Sequence, residues 1–243
     1  MPNPRFYVPV ALAASTTLAL PEAVAHHAAH VLRLRSGDAV TLFNGSGGEY
    51  TARITAIGKH DVTVEIERHD PVERESPLPV TLAQALSSGE RMDLTIQKAV
   101  ELGVTRIVPV ESERGVVRLK GERAGKRVAH WQQVVVSACE QCGRNRIPEV
   151  NGITALDAWL AVEGGAAQRW VLLPGADTAL RDLPRPQQSI ELLVGPEGGF
   201  TNSEADAAKR AGYLPVRLGP RVLRTETAAP ALLAALQALW GDF

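Results

Sequence analysis

The spacing of apolar side chains changes character partway along this chain. Up to about residue 70 the pattern is that of short strands: Ala39–Phe43, Glu49–Ile57 and Asp61–Glu67. In the last of these Val62, Val64 and Ile66 alternate with Thr63 and Glu65, the period of a half-buried strand. The turns Asn44-Gly45-Ser46-Gly47-Gly48 and Gly58-Lys59-His60 separate these runs, as in a small barrel or sandwich. Ahead of them Pro21–Leu32 reads as a short helix, opened by Pro21 and Glu22 and closed by basic residues near Ser36-Gly37. The polar, proline-bearing stretch Asp70–Pro79 breaks the pattern and predicts two domains, 1–73 and 74–243.

Beyond the break, strands and helices alternate. Val80–Leu86, Thr105–Val110, Trp170–Leu173, Ile190–Val194 and Leu214–Leu218 read as strands. Arg91–Leu102, Glu122–Cys142, Leu156–Ala161, Glu204–Ala211 and Pro230–Trp240 read as helices, several of them stopped by glycine. Such alternation implies a largely parallel sheet with helices on both faces, an α/β fold. Pro230 suits a helix that begins near Thr227, where its missing N–H falls in the first turn.

Three of the predicted strands end in distinctive loops: Leu173-Pro174-Gly175, Gly195-Pro196-Glu197-Gly198-Gly199-Phe200, and Leu218-Gly219-Pro220-Arg221-Val222-Leu223-Arg224-Thr225-Glu226-Thr227-Ala228. In a parallel sheet all three lie at one edge and can share a pocket. Gly198 and Gly199 allow positive φ and close approach of a ligand to the backbone. Thr201 and Glu204 have the spacing of a capping box, which starts a helix directly after the second loop. Neither glycine loop matches G-x-G-x-x-G or carries the Lys-Ser/Thr of a P-loop, which disfavours simple NAD or ATP binding. Arg224 and Glu226 read equally as reactive groups or as a cap and salt bridge at the last helix.

Composition narrows the class without choosing it. The 243 residues carry 26 Lys and Arg against 27 Asp and Glu, so any nucleic-acid surface must be local. The densest basic segment is Arg114, Arg118, Lys120, Arg123, Lys126 and Arg127, a phosphate-binding stripe or a solvated helix face. Cys139 and Cys142 supply no disulfide framework, and a lone C-x-x-C with no second pair is no structural zinc site. His26 and His30 stand four apart, but no Glu follows as in H-E-x-x-H; RNA backbone contact or plain surface fits His30 better than a metal. The Ala/Leu-rich run Val10–Leu20 contains Ser15, Thr16 and Thr17 and is not read as a signal peptide, and no apolar run has the length of a membrane span. A cytoplasmic protein without metal or membrane partner is expected.

The second and third loops together closely resemble the RsmE family, bacterial 16S ribosomal RNA uridine-N3 methyltransferases of the SPOUT superfamily. Gln97–Val104, Ala138–Pro148 and His30-Val31-Leu32-Arg33 also look like motifs of that family. The resemblance spans the whole chain. It implies an N-terminal PUA-like β-barrel that helps hold RNA, a C-terminal SPOUT α/β domain with a trefoil knot, and a homodimer that buries the knot region. It implies S-adenosylmethionine as cofactor, in a pocket lined by Leu173, Gly175, Val194, Gly195, Glu197, Gly198, Gly199, Leu218, Val222, Leu223, Arg224 and Thr225, with backbone groups reading the adenine edge. The partner would be 16S rRNA in the small ribosomal subunit. Methyl transfer to uridine N3 requires removal of its proton, for which Glu226 is a candidate base and Arg224 a candidate stabiliser of the anion. Arg5, His30, Arg33, Arg35, Arg91, Lys98, Arg114, Arg144 and Arg146 are candidate RNA contacts. Two other readings remain: a SPOUT enzyme acting on another RNA such as transfer RNA, and a non-catalytic RNA-binding assembly factor.

Overall fold

The computed structural model describes residues 3–59, 61–162 and 168–243. His60, expected in a turn, and the N-terminal Met1-Pro2 lie outside the described residues. The chain divides into two compact units. One runs through Glu75 and also takes Cys139–Ile147; the other comprises Ser76–Ala138 and Pro148–Phe243.

The first unit holds a five-stranded sheet. Its strands are β1 (Arg5–Tyr7), β2 (Thr16–Ala19), β3 (Ala39–Phe43), β4 (Glu49–Ile57) and β5 (Val62–Asp70), in the order β1-β3-β4-β5-β2. Only the β1–β3 pair is parallel; the others are antiparallel, and register shifts interrupt β4–β5 at Thr51/Ala52 and Ile54/Ala56. Alternation places Val62, Val64 and Ile66 inward with Val40, Leu42, Ala52 and Ile54 to form a core. The expected Pro21–Leu32 helix is present in two parts, α1 (Glu22–His26) and a π-helical turn His27–Val31.

Segment 139–147 is held in this unit by charge. Arg5 Nη2 donates to Asn145 Oδ1 at 2.7 Å, and Asn145 Nδ2 donates to the Val72 carbonyl at 2.8 Å. Arg74 Nη1 donates to Glu49 at 2.9 Å and to the Gly143 carbonyl at 3.1 Å, while Arg144 pairs with Glu75. Burial would raise the Glu49 carboxyl, but hydrogen bonds from Arg74 and Arg5 outweigh it and hold the group below its ordinary value.

The second unit is built on an all-parallel sheet. Its strands are β6 (Val80–Ala85), β7 (Arg106–Glu111), β8 (Glu149–Val150), β9 (Thr154–Ala155), β10 (Gln168–Leu172), β11 (Thr178–Ala179), β12 (Ile190–Val194) and β13 (Leu214–Arg217). The main order is β11-β13-β10-β12-β6-β7-β8, with β9 beside β7. β12 is central and buried along its whole length, which is why it reads as a nearly unbroken apolar run. The helices are α2 (Gly89–Glu101), α3 (Glu122–Cys142), α4 (Leu156–Ala161), α5 (Asn202–Arg210) and α6 (Thr225–Trp240). On one face Ala83, Val108, Val171 and Leu193 pack with Leu156 of α4 and Ala208 of α5. The amphipathic α2 buries Met92, Ile96, Ala99 and Val100, and packs against α6.

α6 begins earlier than its sequence suggested. With Arg224 as N-cap, Pro230 lies inside the helix in its second turn rather than its first. The carbonyl of Glu226 therefore loses the i+4 N–H that an ordinary residue would supply.

Candidate functional site

Because β10, β12 and β13 run parallel, their C-terminal loops emerge at one edge of the sheet. They line one pocket, partly open to solvent. Its wall includes Leu173, Val194, Gly195, Glu197, Gly199, Leu218, Val222, Leu223 and Thr225, which the sequence singled out. Gly175, Gly198 and Arg224 were expected there and are not part of the wall. Leu172, Pro174, Pro196, Phe200, Arg217, Gly219, Arg221 and Ala228 line it without having been singled out. Most of these flank the named residues by one position, so loop membership was the signal that could have found them.

The two adjacent glycines have different reasons. Gly199 adopts φ +66°, which side chains rarely tolerate. Gly198 does not have positive φ; a Cβ there would come 3.2 Å from Cβ of Arg114. At Gly195 a Cβ would press the Phe200 ring at 3.3 Å. The loop then closes into α5 through a full capping box. Glu204 N donates to Thr201 Oγ1 at 3.2 Å, and Thr201 N donates to Glu204 Oε2 at 2.8 Å.

Beside Glu197 of the pocket wall, Arg91 joins two carboxylates. Its Nη1 donates to Glu197 Oε1 at 3.0 Å, and its Nε lies 3.8 Å from Glu226 Oε1. Glu197 also accepts from Ser88 N at 3.1 Å and Ser88 Oγ at 3.2 Å. Burial pushes the Glu197 carboxyl up, but these backbone and side-chain donors prevail and hold it below its ordinary value. Glu226 is largely enclosed, its side chain 15% exposed, and its Oε2 is buried without a hydrogen-bond partner in the structure. Arg224 stands 4.0 Å from Glu226 with its own side chain 81% exposed, and makes no side-chain cap to α6. The cap expected there is absent and the ion pair is loose. Glu226 therefore keeps an uncommitted oxygen at the start of α6.

The candidate RNA contacts separate by burial. His30, Arg33 and Arg35 are exposed on the first unit, as is Arg146, 3.7 Å from Glu73. Arg5, 12% exposed at its side chain, and Arg144, 5% exposed, point inward to Glu49 and Glu75, so their guanidinium groups are committed within the protein and argue against a phosphate role. Lys98 pairs with Glu101 at 2.8 Å, and Arg91 with the carboxylates above. The basic segment is not one helix face: Arg114, Arg118 and Lys120 precede α3, and Arg118 donates to the carbonyls of Ser112 and Glu113. Arg114 is exposed and reaches the Gly198 carbonyl at 3.3 Å.

Cys139 is buried, its thiol pushed up to about 12 by that burial, and it donates to the Arg146 carbonyl. Among the described residues no cluster of three or more His, Cys, Asp or Glu is arranged to hold a metal, and no helix is long and apolar enough to cross a membrane.

A parallel sheet with a three-loop pocket at its carboxyl edge, joined to a small β-rich unit, defines the class. Residues 74–237 match the RNA methyltransferase domain, and residues 20–67 match the RNA methyltransferase PUA domain. The chain is 35% identical over 239 residues to the ribosomal RNA small subunit methyltransferase E of Buchnera aphidicola, covering 98% of this chain and 97% of that one. The ribosomal RNA small subunit methyltransferase E of Neisseria gonorrhoeae, solved bound to S-adenosylmethionine, superposes with a TM-score of 0.94 at 46% identity over 99% of both chains. A putative methyltransferase of Legionella pneumophila, solved with the same cofactor, gives 0.95 at 41% identity over 100% of both. The chain belongs to the ribosomal RNA small subunit methyltransferase E family.

Proposed function

We propose that this protein transfers a methyl group from S-adenosylmethionine to N3 of one uridine in the decoding region of 16S rRNA within the small ribosomal subunit. The observation that carries the reading is the convergence of the three loops on one pocket, in a chain this similar to relatives solved with that cofactor. The pocket suits the cofactor on its own terms. Apolar side chains Leu173, Val194, Leu218 and Leu223 offer faces for a purine, and the loops around Gly195, Gly199 and Gly219 present backbone rather than a phosphate cradle. Of the expected set, Leu173, Val194, Gly195, Glu197, Gly199, Leu218, Val222, Leu223 and Thr225 would hold it. Gly175, Gly198 and Arg224 would act by shaping or flanking the loops.

When bound, the cofactor supplies an electrophilic methyl group on a sulfonium. The protein's part is alignment and handling of the N3 proton. Glu226, whose Oε1 lies 3.8 Å from Arg91 Nε, is the group that accepts that proton. Arg224, extended and exposed, stabilises the charge that spreads onto the uridine carbonyl oxygens.

The finer architecture belongs to the same proposal. Residues 1–73 would form a PUA-like barrel that holds RNA, bent where the register shifts in β4–β5. Residues 74–243 would form the SPOUT catalytic domain. Its trefoil knot would arise where the chain crosses from β12 to β13 beyond β10 and returns as α6 against α2 and β12. A homodimer would cover the apolar rim at Val222, which is 78% exposed. His30, Arg33, Arg35, Arg114 and Arg146 are the RNA contacts this reading retains.

Incubating the protein with methyl-labelled S-adenosylmethionine and either assembled small subunits or naked 16S rRNA tests the enzyme reading. Label should enter RNA, and no incorporation into either substrate overturns it. Calorimetric titration with the cofactor separates the enzyme, and a non-catalytic assembly factor that retains the cofactor loops, from a plain RNA-binding module, which would show no uptake.

A further inference from the structure

Behind the pocket wall lies a polar chain buried in the second unit. Gln84 is fully buried on β6, in register with Val194 of β12 and Pro109 of β7. Its neighbours on the same strand face, Val80 and Leu82, are apolar, and nothing in the packing of a central parallel strand calls for an amide. Gln84 Nε2 donates to the Ala85 carbonyl at 3.1 Å and to Thr225 Oγ1 at 3.0 Å. Thr225 Oγ1 in turn donates to the Gly195 carbonyl at 2.7 Å. The direction is fixed by the ends, because both carbonyls can only accept. Thr225 must spend its one proton on Gly195 and can therefore only accept from Gln84. Gln84 Oε1 is left buried with no hydrogen-bond partner in the structure. An isosteric apolar residue would avoid that desolvation cost, so the amide answers a demand other than core packing.

The demand is at the pocket. The chain ties the C-terminal end of β6 to the first residue of the loop after β12 and to the first turn of α6, and both Gly195 and Thr225 line the pocket. We propose that Gln84 is a positioning residue for the cofactor: through Thr225 it fixes the Gly195 carbonyl and the start of α6 in the arrangement that binds S-adenosylmethionine. Gln84 does not itself line the pocket and is assigned no contact with the ligand. The inference rests on the pocket being the cofactor site.

The test is calorimetric affinity for S-adenosylmethionine in the full-length protein, with urea unfolding measured on the same samples. The variants are Gln84→Met, Thr225→Val, their combination, and Thr225→Ser as the conservative control. Thr225→Ser keeps the hydroxyl and should bind within about threefold of the parent, whereas Gln84→Met and Thr225→Val should each lose about tenfold or more. Because both cut one chain, the combination should be no more than about threefold weaker than the worse single variant. A parent that binds, with Gln84→Met or Thr225→Val also binding at parental affinity, overturns the inference even if the urea midpoint falls, since that outcome is a structural role alone. If Gln84→Met does not fold, Gln84→Leu is measured in its place, and parental affinity in that variant overturns the inference. A parent that takes up no cofactor overturns the assignment of the pocket instead, so the two failures are distinct.

Discussion

Glu226 and Glu197 share Arg91, yet their situations differ. Glu197 has every contact it needs from Ser88 and Arg91, while Glu226 has a buried oxygen with none. Glu226→Gln should therefore reduce single-turnover methylation by about 100-fold or more, the usual span of a lost proton acceptor, with little change in the urea midpoint. Normal turnover by a folded variant would remove Glu226 from the chemistry. Glu197, whose carboxyl is held below 4.5, stabilises the fold fully above that value, and the contribution is lost as pH falls through the lower folded value. Glu197→Gln should thus flatten the decline of the urea midpoint on acidification below pH 4.5; a decline as steep as the parent's would contradict the assignment. At this scale the loop residues were legible, because glycine spacing and strand ends are local. The fate of the arginines was not. Arg5 meets Glu49 and Asn145 across 44 and 140 residues of sequence, and no local pattern carries such pairings.

Elements with strong periodicity were read to the residue: β4, β12, α3 and α4 begin and end where their patterns do. β1 and β2 were not seen. They span only 3 and 4 residues, and β2 has no buried position to reveal an alternation. Their place is set by pairing with β3 and β5 instead. α6 starts earlier than Pro230 suggests, because Arg224 occupies the N-cap position without a side-chain cap and the proline is accommodated in the second turn. The capping box of α5 was legible in full, since it is defined by spacing alone. Thr201→Ala should cost about 1 kcal/mol in urea unfolding. It should also weaken cofactor binding, because α5 then no longer closes the Gly195–Phe200 loop. Unchanged stability would mean the box is not holding the helix end.

At the scale of the whole molecule, the polar break after Asp70 marked where one pattern ends, but the units are not two consecutive lengths of chain. Residues 139–147 fold with the first unit through Arg5, Asn145 and Arg144, an arrangement carried by long-range hydrogen bonds and an ion pair and invisible to periodicity. The near-balance of 26 basic and 27 acidic residues leaves RNA binding to local groups such as Arg33, Arg35, Arg114 and Arg146. Affinity for RNA should fall steeply with salt, the logarithmic slope decreasing by about 1 for each of these changed to Gln. Substitution of Arg144, already paired with Glu75, should lower stability rather than the slope, and the reverse result would reassign it. Methylation of uridine at N3 is read out by base-resolved mapping of the product. Small subunits lacking the modification, incubated with the protein and S-adenosylmethionine, should gain N3-methyluridine at a single position of 16S rRNA in the decoding region. Methyl label on a ribose, on another base atom, or only in transfer RNA would contradict the account.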